Sequence, residues 1–234
     1  MIIENLTPFW KGLLLVLSYG FIGGGLKYID QVYDIGVFSR KFAIILSPIL
    51  GLLMGYLIAI DSSSTVILIA IIIGVAIAGK LDNWPFRTVA LLSFGVAVFL
   101  SITKIIPGYS FELKLVPLFA LVLAGVIDEF GNDWADKKVK MRLVAEARGH
   151  KSGERFSQRL LEEFFLKRFF MKIIVLFLCI LNYFSYVYFF AFFSFDILYI
   201  LVERYSFAKK SYNISRIPMQ TKNNNMRNTG LLTL

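Results

Sequence analysis

The sequence holds one cysteine and one histidine. With Cys179 alone, no disulfide forms within the chain, and its place inside an apolar run marks it as a small buried or lipid-facing residue. That His150 stands alone argues strongly against a histidine-based metal centre or a Ser-His-Asp triad. The phosphate-binding loop, G-x-G-x-x-G, H-E-x-x-H and G-x-S-x-G are also missing. No basic stretch precedes the first apolar run; Glu4 does, and no small-x-small cleavage site follows. That run is therefore expected to stay in the protein as a span and not to be removed as a signal peptide. The short alternating segments of a membrane β-barrel do not occur either.

The largest deficit is of charge over long stretches. Apolar residues make up 57% of the 234, against about 45–50% in a soluble domain, and the mean hydropathy is +0.69. Crossing a hydrocarbon core of about 30 Å takes about 20 mostly apolar residues in a helix. The pattern predicts an all-α, polytopic bundle of six or seven spans. Residues 1–127 hold five of them, near Phe9–Leu26, Phe42–Ile60, Thr65–Gly79, Thr88–Ile106 and Leu115–Ile127. Residues 128–168 form a charged segment on the cytoplasmic side. In it, Phe156, Leu160, Leu161, Phe164 and Phe165 recur at helical spacing, as in an amphipathic helix. Residues 169–203 form an aromatic run, read either as two short helices broken near Asn182–Ser185 or as one long tilted helix. Residues 204–234 are basic, Asn-rich and aperiodic, and are expected to be disordered. Within the spans, Gly51 and Gly55 form a G-x-x-x-G pair, and "GFIGGG" (residues 20–25) supplies further sites of close helix approach.

Basic residues are divided unequally between the two sides. The loops after spans one, three and five carry sixteen Lys and Arg, and the opposite loops carry three, Lys11, Lys104 and Lys114. The positive-inside rule then puts the first side in the cytoplasm of a cell-membrane protein, with the N-terminus outside and, for seven spans, the C-terminus inside. The net charge of +9 follows from this bias and from attraction to anionic headgroups, so a nucleic-acid partner is not expected.

Three aspartates close apolar runs on that same side: "YIDQV", "KLDNW" and "VIDEF" centre on Asp30, Asp82 and Asp128, spaced by 52 and 46 residues. The spacing reads as three related helix pairs, with "AGKLDN" and "AGVIDE" the most alike. Asp34 lies four residues after Asp30. "IDEFGNDWADKK" adds Glu129, Asn132, Asp133 and Asp136, of which Asp133 and Asp136 share a helix face. Carboxylates near a bilayer are costly and mark functional sites. An oxygen-only set suits Mg²⁺ and not zinc. Asp30, Asp34, Asp82, Asp128, Asp133 and Asp136 are the candidate metal ligands, and Lys27, Lys80, Arg87 and Lys137 the candidate phosphate-binding residues.

Two short segments resemble the motifs of UbiA-type intramembrane prenyltransferases. "NDWAD" (Asn132, Asp133, Asp136) is similar to their N-D-x-x-D motif, and "DQVYD" (Asp30, Asp34) to their second D-x-x-x-D motif. The order of the two is reversed here, Lys140 stands where a further aspartate often follows, and the likeness covers about ten residues. It implies Mg²⁺ held with a prenyl diphosphate at a helix end. The expectation is a Mg²⁺-dependent enzyme acting on a lipid or prenyl phosphate, with membrane lipid as its surroundings. Two alternatives stand beside it: a transporter or channel built from repeated helix pairs, and a membrane protein without a catalytic site, its acids capping helices and balancing lysines.

Overall fold

Backbone polar groups find no water inside a bilayer, so apolar runs of this length satisfy them within helices. A computed structural model of the protein describes residues 8–79, 81, 83–104, 113–147 and 156–215. Among these residues there are eight helices and no strand: α1 Pro8–Asp34, α2 Arg40–Ile60, α3 Ser62–Ile77, α4 Trp84–Thr103, α5 Leu115–Ala147, α6 Phe156–Leu166, α7 Phe169–Ile180 and α8 Tyr186–Ser215. Five contain a stretch long and apolar enough to cross a membrane: α1, α2, α4, residues 115–142 of α5 and residues 186–210 of α8. The apolar helices α3 and α7 are shorter, at 16 and 12 residues.

Of these two, α3 is the enclosed one, while Ile173, Phe177 and Ile180 of α7 are half-exposed or more. Val66, Ile67, Leu68, Ala70 and Thr65 point in successive directions around α3, and all are fully buried. A helix apolar and buried on every side belongs at the centre of a bundle. Around it, Ile45, Leu52, Leu91, Phe99 and Ile102 on α2 and α4 are more than half exposed. A soluble protein rarely leaves such an apolar belt open to water; the belt is consistent with a membrane protein.

Small residues set the contacts. The principal packing partners are α1 with α8, α2 with α4 and α3 with α5, more than the consecutive pairs read from the sequence. A Cβ on Gly51 would come within 2.7 Å of Leu92 Cβ, and one on Gly55 within 2.7 Å of the Ser93 carbonyl. The G-x-x-x-G pair thus seats α2 on α4. Gly20 and Gly23 lie against Ser194 and the Phe195 carbonyl of α8, and Gly25 against Leu50 of α2. The glycines of "GFIGGG" therefore serve helix packing.

Local chemistry fixes the helix ends. Asp61 caps α3, its Oδ2 accepting from the Ser64 N–H at 2.6 Å. Asn83 caps α4 by accepting from the Phe86 N–H at 3.0 Å. Within α2, Pro48 has no N–H for the Ile44 carbonyl four residues back. The Ser47 hydroxyl donates to that carbonyl instead, at 3.1 Å. Ser47 is buried, so Ser47→Ala is expected to cost about 1 kcal/mol, measured as a lower midpoint of thermal unfolding in detergent; an unchanged midpoint would show the carbonyl is satisfied otherwise.

The aromatic run resolves into two helices. α7 stops at Ile180, and the chain turns through Leu181–Ser185, with Asn182 in the left-handed region at φ 61°. Asn tolerates that conformation better than most residues. α8 then continues to Ser215, past Arg204. α5 likewise does not end at Ile127. It runs through the acidic segment to Ala147, about 50 Å at 1.5 Å per residue. The amphipathic stretch forms α6, which packs on α5. Phe165 lies over Gly131, where a Cβ would clash with its ring, and Arg142 pairs with the buried Glu162 at 2.8 Å.

Candidate functional site

The extended α5 carries its acids in register. On a helix, Asp128, Asn132 and Asp136 lie four residues apart and share a face, with Asp133 beside them. On α1, Asp30 and Asp34 have the same spacing. Both sets line one cavity of about 480 Å³, together with the last turns of α3, the α6–α7 junction and one stripe of α8. Ligand sites in proteins span about 300–1,000 Å³. The α8 stripe runs Phe192, Phe195, Asp196, Tyr199, Glu203 and Phe207, the i, i+3, i+4 recurrence of one helix face. Leu26, Ile71, Val75, Phe86, Phe192 and Phe195 supply apolar wall beside the acids.

Each candidate can now be placed. Asp30 and Asp133 are half-buried; Asp34 and Asp136 are exposed at the rim. Asp128 is buried and its carboxylate is engaged: Oδ1 accepts from the Phe170 N–H at 3.1 Å and Oδ2 from the Met171 N–H at 2.7 Å. These are first-turn donors of α7 that no helical carbonyl can serve. Asp128 therefore caps α7 from another helix, a role its sequence neighbours do not reveal. Lys27 is buried in the wall. Arg87 and Lys137 are exposed and do not line the cavity; the Arg87 Nε–H donates to the Leu81 carbonyl at 2.8 Å. Asp82 and Lys80 lie outside the described residues.

Ion pairs tie the walls together. Lys27 Nζ stands 2.8 Å from Asp30 Oδ2 and 2.9 Å from Glu203 Oε1, joining α1 to α8. Arg168 grips Glu129 of α5 with both terminal nitrogens, at 3.0 and 3.3 Å. Such forked pairing is the strong form of an arginine–carboxylate contact. Lys172 holds Asp196 at 2.6 Å. Arg168 itself sits in the left-handed region, at φ 49° and ψ 50°, between α6 and α7. A non-glycine residue there costs about 1 kcal/mol or more and is kept where its surroundings over-determine it. Burial opposes the charge of its guanidinium, but Tyr199, Glu129, Asp196 and Glu203 outweigh that and raise its pKa further.

The comparisons offer no family to place this cavity in. No protein-family model matches the chain, and no curated protein or solved structure is detectably similar to it.

The site's chemistry is therefore read from its donors. Asp30, Asp34, Asp128, Glu129, Asp133, Asp136, Asp196 and Glu203 line the cavity against Lys27, Lys140, Lys167 and Arg168, eight carboxylates to four cations. The excess gives the cavity a negative field that draws cations in. Among the described residues, no three acidic, cysteine or histidine side chains are grouped as a ready-made metal centre. Mg²⁺ needs no such group. It keeps several waters and takes one or two carboxylates plus the phosphate oxygens of a substrate.

Sequence reasoning missed Arg168, Tyr199 and Glu203. The signal for two of them was the polar spacing of residues 196, 199 and 203 in an otherwise apolar run. Arg168 gave none, because its position depends on how α6 meets α7.

Proposed function

We propose that this cavity is a Mg²⁺-dependent site for the phosphate end of a phosphorylated lipid, and that it opens on the cytoplasmic face of the membrane. One observation carries the reading. The acids of "DQVYD" and "NDWAD", about 100 residues apart in the sequence, line a single cavity that also has cationic and apolar walls. The metal, when bound, neutralises the phosphate charge and stabilises its departure or transfer. The carboxylates of α1 and α5 hold the ion, and Lys27 and Arg168 offset the remaining negative charge. The wall of Leu26, Ile71 and the α8 phenylalanines takes the first part of the lipid tail. The excess of basic residues on this side supports the orientation.

Mn²⁺ binding by purified protein, followed by electron paramagnetic resonance in the presence of a prenyl diphosphate, tests the site. The double substitution Asp34→Asn, Asp133→Asn is expected to weaken binding about ten-fold or more, by loss of charged ligand contacts. Equal binding by both proteins would end the metal reading. Solute flux through proteoliposomes that needs no metal would favour transport instead.

A further inference from the structure

Two cations share one aromatic ring in the cavity wall. Lys27 Nζ lies 4.8 Å from the centre of the Tyr199 ring, and the Arg168 guanidinium carbon 4.9 Å from it. At these distances a cation is attracted by the ring's quadrupole, which helps keep the two positive groups close despite their repulsion. Both already have carboxylate partners: Asp30 and Glu203 on Lys27, and Glu129 on Arg168. All six residues line the cavity. As the site stands, these two cations are held by its own acids, and an arriving phosphate meets a wall whose carboxylates outnumber its cations two to one.

We infer that Lys27 and Arg168, set on the Tyr199 ring, are the anion-holding pair of the site, and that Glu203 is a latch that occupies Lys27 until a divalent cation enters, so that metal and phosphate bind only as a pair. This rests on the reading of the cavity as a metal–phosphate site. A divalent cation held here would draw on carboxylates such as Asp30 that now neutralise Lys27, and would halve the cavity's excess of negative charge. Lys27 then turns its donors from carboxylate to phosphate oxygen, one charge-assisted contact for another. Coupling of this kind is reciprocal: phosphate raises affinity for the metal by the factor by which metal raises affinity for phosphate. Glu203 is a positioning residue here; it sets when Lys27 becomes available and touches neither ligand.

Removing the latch distinguishes this from a merely structural ion pair. Free pyrophosphate, with EDTA present, and its preformed Mg²⁺ complex are titrated calorimetrically into the full chain in detergent. Wild-type protein is expected to bind the Mg²⁺ complex about 100-fold tighter than free pyrophosphate. Glu203→Gln should bind free pyrophosphate about ten-fold tighter than wild type, the equivalent of one charge-assisted contact no longer competed for. In a Lys27→Met background the same Glu203→Gln change takes the charge out of the cavity but releases no cation, and there it should change the affinity for free pyrophosphate by about two-fold or less. If Glu203→Gln gains nothing while both proteins bind the Mg²⁺ complex, the latch is overturned and the metal–phosphate site stands. If wild type binds neither form, that site falls and the latch with it.

Discussion

Replacing Asp128 with alanine is expected to lower the stability of the protein by about 3 kcal/mol. A helix N-cap contributes about 1–2 kcal/mol, and a negative charge at a helix start adds up to about 2 kcal/mol when partly buried. Asp128 provides both for α7, through the Phe170 and Met171 N–H groups. It does so from α5, so the same substitution also unties α7 from α5. The single cysteine offers a direct measurement. Cys179 lies on α7 and is buried, so a thiol-reactive dye reports when that helix opens. The midpoint should fall by about 6–12 °C, taking about 2–4 °C per kcal/mol for a chain of this size. Asp136→Ala, at an exposed position on the same helix, should leave it unchanged. Equal midpoints for Asp128→Ala and wild type would mean that the α7 donors find other partners.

The second large effect is expected from Lys27→Met, which keeps much of the side chain's length and removes its charge. Asp30 and Glu203 then face each other without the cation that separates them. Binding of the Mg²⁺–pyrophosphate complex should weaken about 100-fold, or about 2.7 kcal/mol. That is within the cost of losing one charge-assisted contact, about 1.5–3 kcal/mol. Lys27→Arg keeps a charge on the same helix and should recover part of the loss. A methionine variant that binds as wild type does would remove Lys27 from the site.

The spans were legible because their cause is local. Twenty apolar residues make a helix wherever they are placed, so α1, α2 and α4 fall close to the runs read from the sequence. Periodicity also exposed α6, and the glycine pair at 51 and 55 announced a tight helix contact. Asp30, Asp34, Asp128, Asp133 and Asp136 line one cavity; the sequence offered only the expectation of a shared side for acids that follow apolar runs. What each acid does there was not readable. Asp128 serves α7, 40 residues onward, and nothing nearby in the chain encodes that. Lys137 and Arg87 are exposed and do not line the cavity, a matter of helix phase and loop geometry that charge counting ignores. The continuation of α5 past Ile127 was hidden because its second half is polar; there α6 covers it, through Phe165 over Gly131 and the Arg142–Glu162 pair.

The brevity of α3 has a consequence for anything that carries charge into the recess. Its 16 residues span about 24 Å at 1.5 Å per residue, and its final turns border the cavity. In a membrane, so short a helix beside the recess is expected to let part of the voltage drop across the recess. A doubly charged ion that moves through one-tenth of that voltage exchanges about 0.5 kcal/mol with it per 100 mV. Cation occupancy of the recess is then expected to shift with the voltage.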